Sequence, residues 1–305
     1  MFNFFFWKKD IVVRKKALVI QGGGMRGIFL VGVLQSFCDR GYFPWKLIAG
    51  TSAGALTGVA YSTGQNYLAR DAFLNKSLSD NLIKFSNLLN PKKHILNLDW
   101  LVDNIMKGDD PLNLNKLKKS CPVIIAATAV TDDESPYPVY FNSKKDDVFT
   151  ALKASSALPF LYRGFVEYGG YNLLDGGLTD PIPYKKVLSL GYKESDITVI
   201  LTRQRGHRKK EEAFWVKTIL ESYYKHSKYE LFINELEKRY LSYNNIMDDL
   251  ESNHKGITLI YPPDDFKVDR LSRDTATIMK GFQDGIKSGK KYLQSIGFMK
   301  SFPKI

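Results

Sequence analysis

The chain has 305 residues, 44% hydrophobic and 25% charged, a globular composition with enough apolar material for a core. Its 44 Lys and Arg against 32 Asp and Glu give a formal net charge of +12, which favours anionic partners. The longest apolar run, Pro122 to Val130, falls far short of the roughly 18 residues a membrane span needs, and two cysteines are too few for a disulfide framework.

In chain order, Phe2 to Trp7 followed by Lys8-Lys9 reverses the order of a secretory signal and lacks a small-residue cleavage site. Residues 1–15 read as a tail packed on the domain, in a cytoplasmic protein; a dip of the apolar stretch into a lipid interface is the alternative. Lys16 to Gln21 is an apolar run that ends in Gly22-Gly23-Gly24, as a buried parallel strand does. Ile28 to Arg40 reads as a helix with Leu30, Val33, Leu34 and Phe37 on one face and Gly41 as its stop. Trp45 to Ala49 is the next strand, and Ala53 to Thr63 a helix rich in small residues. This strand-helix-strand unit fits a right-handed crossover between parallel strands, with both glycine-rich turns at strand carboxyl ends.

Gln65 to Asn115 reads as helices and loops covering the sheet. Strands are expected at Val123 to Val130 and Val139 to Asn142, and a short helix at Val148 to Ala154. Tyr171 to Leu174 reads as a strand running into Asp175-Gly176-Gly177. Pro183 to Leu190 is a helix and Asp196 to Thr202 the last strong core strand. Composition shifts near Gly206: Lys209 to Tyr243 is helical in pattern, Ile257 to Tyr261 is one more strand, and Leu271 to Leu293 a long amphipathic helix. The expected organisation is a tail at 1–15, a catalytic domain at 16–205 and a mostly helical extension at 206–305 packed on it. Cys38 and Cys121 are expected to be buried, unbridged and inert. The basic clusters, such as Arg203 to Lys210 and Lys287 to Lys291, are scattered. They lack RNA-binding or zinc-finger spacing; most read as solvated faces of a lysine-rich protein, and weak attraction to anionic membrane, rather than to nucleic acid, is the sharper alternative.

Gly50-Thr51-Ser52-Ala53-Gly54 has the Gly-x-Ser-x-Gly form, which sets a serine on a sharp turn between strand and helix with its hydroxyl projecting into a site. A serine hydroxyl needs a base. His94 lies in a loop after two lysines, His207 in a basic run that depresses its pKa, and His226 and His254 in helical or turn sequence without a motif. Asp175 is better placed, at a strand end with two glycines after it.

These residues together resemble the patatin-like phospholipase family. Gly22 to Gly27 matches its Gly-x-Gly-x-x-Gly loop, Gly50 to Gly54 its nucleophile turn, and Asp175 to Gly177 its Asp-Gly-Gly motif. Ala154 to Phe160 is similar to its Ala-Ser block, and the likeness spans roughly residues 16–205. The resemblance implies a three-layer α/β/α fold with a mainly parallel sheet. It also implies hydrolysis of acyl-lipid esters without metal or cofactor, with Ser52 as nucleophile and Asp175 as its activator. Backbone amides of Gly22, Gly23 and Gly24 would hold the oxyanion. Arg26 would order that loop or meet a lipid phosphate, or form a structural salt bridge. Gln21 stands where acidic residues are common in the family, which implies a change in loop hydrogen bonding.

The alternative is a nucleotide- or phosphate-binding α/β protein that uses the Gly22 to Gly27 loop. Against it, the acidic residue expected after the second strand is absent, and no Lys-Ser or Lys-Thr completes a phosphate loop. Lipid head group, acyl length and oligomeric state are not legible in the sequence.

Overall fold

The structure, a computed structural model, describes residues 15–76, 82–87, 90, 93–211 and 230–298. In chain order its elements are β1 (Lys16–Ile20), α1 (Gly27–Cys38), β2 (Trp45–Thr51), α2 (Ala53–Ser62), α3 (Asn66–Asp71), α4 (Leu98–Leu101) and α5 (Leu114–Lys119). There follow β3 (Val123–Val130), β4 (Tyr137–Asn142), α6 (Val148–Ser156), β5 (Val166–Tyr168), β6 (Tyr171–Asp175) and α7 (Tyr184–Ser189). Last come β7 (Ile197–Ile200), α8 (Glu230–Ser252), β8 (Thr258–Ile260) and α9 (Thr275–Ser295).

One sheet has the hydrogen-bonded path β5-β6-β3-β2-β1-β7-β8, with β4 also on β3. β3, β2, β1, β7 and β8 pair in parallel, whereas β4 and β6 pair antiparallel with β3, and β5 with β6. The side-chain period of two divides each central strand between two cores. Leu18, Ile20 and Ile48 join Phe29 and Leu34 of α1, Leu56 of α2 and Phe282 of α9. Ala17, Val19, Leu47 and Ala49 join Tyr184 and Val187 of α7 and Tyr243, Met247 and Leu250 of α8. Helices therefore cover both faces, the three-layer arrangement expected of strands that are apolar on both sides.

The segment beyond residue 206 adds strand β8 beside β7 and lays α9 along α1. The two helices approach until Cα meets backbone: a Cβ on Gly285 would sit 2.2 Å from the Phe29 carbonyl oxygen, and one on Gly32 2.2 Å from that of Phe282. Asp274 caps α9 by accepting from Thr277 N at 2.7 Å.

Some expectations need revision. β5 was not legible as a strand, being three residues long. Residues 206–211 are not helical, and α8 begins at Glu230 among the described residues. Cys38 and Cys121 are unbridged but only half-buried, and partial burial pushes their thiols up to about 12 and about 11, so both stay protonated at neutral pH. The 1–14 tail and His226 lie outside the described residues.

Candidate active site

The turn from β2 into α2 is tight because both flanking glycines lie against backbone. A Cβ on Gly54 would come within 2.3 Å of the Ile20 carbonyl oxygen, and one on Gly50 within 2.6 Å of that of Gly54. Ser52 itself takes φ 54° and ψ −125°, a left-handed conformation that costs a non-glycine residue on the order of 1–3 kcal/mol. Ser155, from α6, holds it there. Its hydroxyl accepts from Ser52 N at 2.7 Å and donates to the Ala126 carbonyl at 2.6 Å. The turn is buried, Ser52 being 7% exposed.

Register brings Asp175 to the same point. β4 takes one edge of β3, pairing Ala126 with Tyr140 and Ala127 with Val139. The opposite edge is shared end to end: β2 arrives from one direction and stops with Thr51 opposite Ala126, while β6 arrives from the other and stops with Asp175 opposite Ala127. Two strand ends thus meet across consecutive residues of a third, about 3.8 Å apart along the chain. Sequence placed Asp175 at a strand end but not the antiparallel direction that makes the two ends collide.

Asp175 is 3% exposed. Its carbonyl accepts from Thr128 Oγ1 at 2.9 Å and its Oδ1 from Gly177 N at 2.7 Å. Oδ2 is buried with no hydrogen-bond partner among the described residues. Burial raises the carboxyl pKa above the ordinary range, opposed by the Gly177 amide and by Ser52, which lies close enough to favour the ionised form. No hydrogen bond of regular geometry joins the Ser52 hydroxyl to Asp175, although the two side chains are neighbours.

The glycine loop follows β1. Gly22 N donates to the Pro181 carbonyl at 3.3 Å and Met25 N to that of Arg270 at 3.0 Å, whereas the Gly23 and Gly24 amides have no acceptor among the described residues. Gly24 has φ 56°, and a Cβ on Gly23 would lie 2.8 Å from Thr202 Oγ1. Gln21 ties the loop down: its side-chain oxygen accepts from Thr202 N at 2.6 Å, and its Nε2 donates to Tyr243 OH of α8 at 3.4 Å. An acidic residue there could accept from Thr202 but not donate to the tyrosine oxygen.

Two cavities meet at Ser52. One is apolar, lined by Met25, Leu56, Phe73, Ile83, Leu158 and Leu161 among others. The second holds Ser52, Asp175, Gly22, Gly23 and Gly24 together with Arg26, Arg203, Lys209 and Arg270. Arg26 is 4% exposed with its Nε unpartnered; burial, then Arg203 and Arg270, pulls its pKa down to about 9. No salt bridge holds it among the described residues.

No described histidine lines either cavity. The His94 ring stacks on Tyr162 and accepts from Arg163 N at 2.9 Å, and His254 lies 2.7 Å from Glu194. Ser155 belongs to the Ala-Ser block noticed in the sequence, but its job of clamping the Ser52 turn depends on a contact 103 positions away. The wall of the apolar cavity was invisible for the same reason.

Comparison with known proteins bears on the family and the fold. The model of the patatin-like phospholipase family matches residues 18–188, and a domain of unknown function, DUF6363, matches residues 229–299. The uncharacterized protein YjjU of Escherichia coli (strain K12) is 28% identical over 286 residues, covering 92% of this chain and 78% of that one. The uncharacterized NTE family protein Rv1063c of Mycobacterium tuberculosis is 30% identical over 189 residues, 61% of this chain; the chain spans about half, 48%, of its length. The crystal structure of VipD from Legionella pneumophila superposes with a TM-score of 0.51 at 15% identity, over 92% of this chain and 67% of that one, a likeness of fold.

Proposed function

Since this chain belongs to the patatin-like phospholipase family, and so to the lipid acyl hydrolases, we propose that it cleaves acyl-lipid esters through a Ser52–Asp175 dyad. The observation that carries this reading is the meeting of β2 and β6 on one edge of β3, which brings a strained serine and a buried carboxylate into one cavity beside an apolar one. Ser52 Oγ attacks the ester carbonyl and its proton passes to Asp175, whose raised pKa makes it a stronger base than an exposed carboxylate. The tetrahedral oxyanion is held by the amides of Gly23 and Gly24, Gly22 having given its amide to Pro181. Collapse returns the proton to the departing alcohol and leaves Ser52 acylated. Water, deprotonated by Asp175, then attacks the acyl carbon, and that proton passes to Ser52 Oγ as the fatty acid leaves. The apolar cavity takes the acyl chain.

Cavity lining without a histidine favours a dyad over a triad. A nucleotide reading of the glycine loop has less support, because two of its amides are already spent on carbonyl groups. The same reading places the protein on anionic bilayers, supported by the net charge of +12. The test is labelling with a fluorophosphonate probe alongside hydrolysis of a panel of esters. Ser52→Ala is expected to lose the label and at least a thousandfold in kcat, on the order seen when a nucleophile is removed. Full labelling and turnover in that variant would overturn the assignment.

A further inference from the structure

A further chamber with cationic walls shares Arg26, Arg203 and Lys209 with the cavity of Ser52 and Asp175. Arg26 comes from the glycine loop, Arg203 from the end of β7, and His207 and Lys209 from the segment after it. Three of these leave a buried nitrogen without a partner among the described residues: Arg26 Nε and Arg203 Nε, which can only donate, and His207 Nε2, whose role depends on the tautomer. Buried polar nitrogens are seldom left so, and two guanidinium donors in one chamber call for a missing acceptor. Asp269, the one carboxylate in the lining among the described residues, is 79% exposed and stands 3.9 Å from Arg203 Nη1, too weak a partner to compensate. Lys209 has its backbone bonded to Asn244, while its ammonium lies 4.3 Å over the Tyr243 ring, a contact that leaves its hydrogen-bond donors unused. Burial and then the surrounding guanidinium groups pull Lys209 down to about 7, and burial with Arg203 and Arg26 lowers His207. By contrast Arg208, on the same wall, is satisfied by Asp248 and Glu251 at 2.6 and 2.8 Å.

We propose that this chamber is a phosphate site, and that it takes the phosphomonoester end of the lipid whose acyl ester lies at Ser52. The second half rests on the hydrolase reading; the first does not. Arg26, Arg203 and Lys209 also line the cavity of Ser52 and Asp175, so one molecule can fill both. Charge selects the class of head group. A phosphomonoester brings close to two negative charges and three acceptor oxygens to a chamber of crowded cations. A phosphodiester carrying a quaternary ammonium brings one negative charge and adds a cation where cations already repel. The site therefore prefers a phosphatidic acid type of lipid over a choline lipid.

Binding to the Ser52→Ala protein, which cannot turn the lipid over, isolates this question. Calorimetry is run with inorganic phosphate, dihexanoyl phosphatidic acid and dihexanoyl phosphatidylcholine below their micellar concentrations. Expected is binding of phosphate, at least tenfold tighter binding of the acid than of the choline lipid, and displacement of the acid by phosphate. Arg203→Gln and Lys209→Gln are each expected to weaken phosphate and the acid at least tenfold and to bring the two lipids within about threefold; Arg203→Lys keeps most of the preference. Equal affinity for the two lipids, or a preference untouched by both substitutions in protein with native circular dichroism, overturns the proposal. Phosphate that binds without displacing the acid overturns the head-group half and leaves a site for free phosphate. Failure of the hydrolase reading shows separately, as absence of ester turnover by the unsubstituted protein.

Discussion

Ser52 and Asp175 each hold an unfavourable state that folding elsewhere sustains. For Ser52 it is a left-handed backbone; for Asp175, a carboxylate with one oxygen buried and unpartnered. Ser52→Gly is therefore expected to abolish turnover while raising stability by about 1–2 kcal/mol, read by urea denaturation. A loss of stability would mean the turn is not strained. Asp175 predicts a pH dependence of definite sign. With its folded pKa above the unfolded value of ~3.9, the native state holds the proton more tightly, so Asp175 favours folding below that value and the benefit disappears as pH rises through the folded pKa. Asp175→Asn is then expected to be inactive yet more stable than the unsubstituted protein at pH 8, with the gap closing toward pH 4. In the parent, kcat is expected to fall as pH drops through the same raised value, because a protonated Asp175 cannot accept from Ser52. A profile that stays flat down to the ordinary carboxylate value of ~3.9 would argue against Asp175 as the base.

Secondary-structure elements place these residues by contacts that cross the whole chain. The glycine loop is secured from β7 and α8 through Gln21, Thr202 and Tyr243. Gln21→Ala leaves the buried Thr202 amide without its acceptor, a loss of about 1–3 kcal/mol, and is expected to lower kcat more than it raises KM, since the amides proposed to hold the oxyanion follow the loop. Unchanged kcat with lowered stability would confine Gln21 to folding. At the α1–α9 contact, Gly285→Val would drive a side chain into the Phe29 carbonyl, with an expected cost of about 3 kcal/mol or more in a denaturation series. Gly285→Ala is expected to be milder, and equal stability of all three proteins would show that the helices can separate freely.

At the scale of the molecule, the segment beyond residue 206 supplies a strand, a helix over α1 and most of the cationic chamber wall. Phe37 meets Tyr292 of α9 with ring centroids 5.5 Å apart, and Phe29 meets Phe266 at 5.8 Å. A chain cut after residue 205 would bare this aromatic surface; it is expected to aggregate and to bind a hydrophobic dye, and cooperative unfolding of a soluble monomer would instead make 16–205 an independent unit. Among the described residues no helix is long and apolar enough to cross a membrane. Contact with an anionic bilayer would draw about 1 kcal/mol from each basic group near its surface. Co-sedimentation with anionic vesicles is expected to fall as salt is raised, and binding equal on neutral and anionic vesicles would leave the +12 charge as a solvated surface.

Local chemistry made much of this protein legible in one dimension. Apolar runs that stop at glycines announce buried strands, and a serine between two glycines announces a turn only small neighbours permit, because such constraints act within a few residues. Family resemblance then named Ser52 and Asp175 as partners. What no local pattern contains is direction and distance. That β6 runs against β2 on a shared edge of β3, that Ser155 clamps Ser52, that Pro181 takes the Gly22 amide, and that Arg26, Arg203 and Lys209 crowd one chamber are facts of register and packing between segments up to some 180 positions apart. They follow from burial of both sheet faces, which settles the order of the strands and therefore which turns come to face one another.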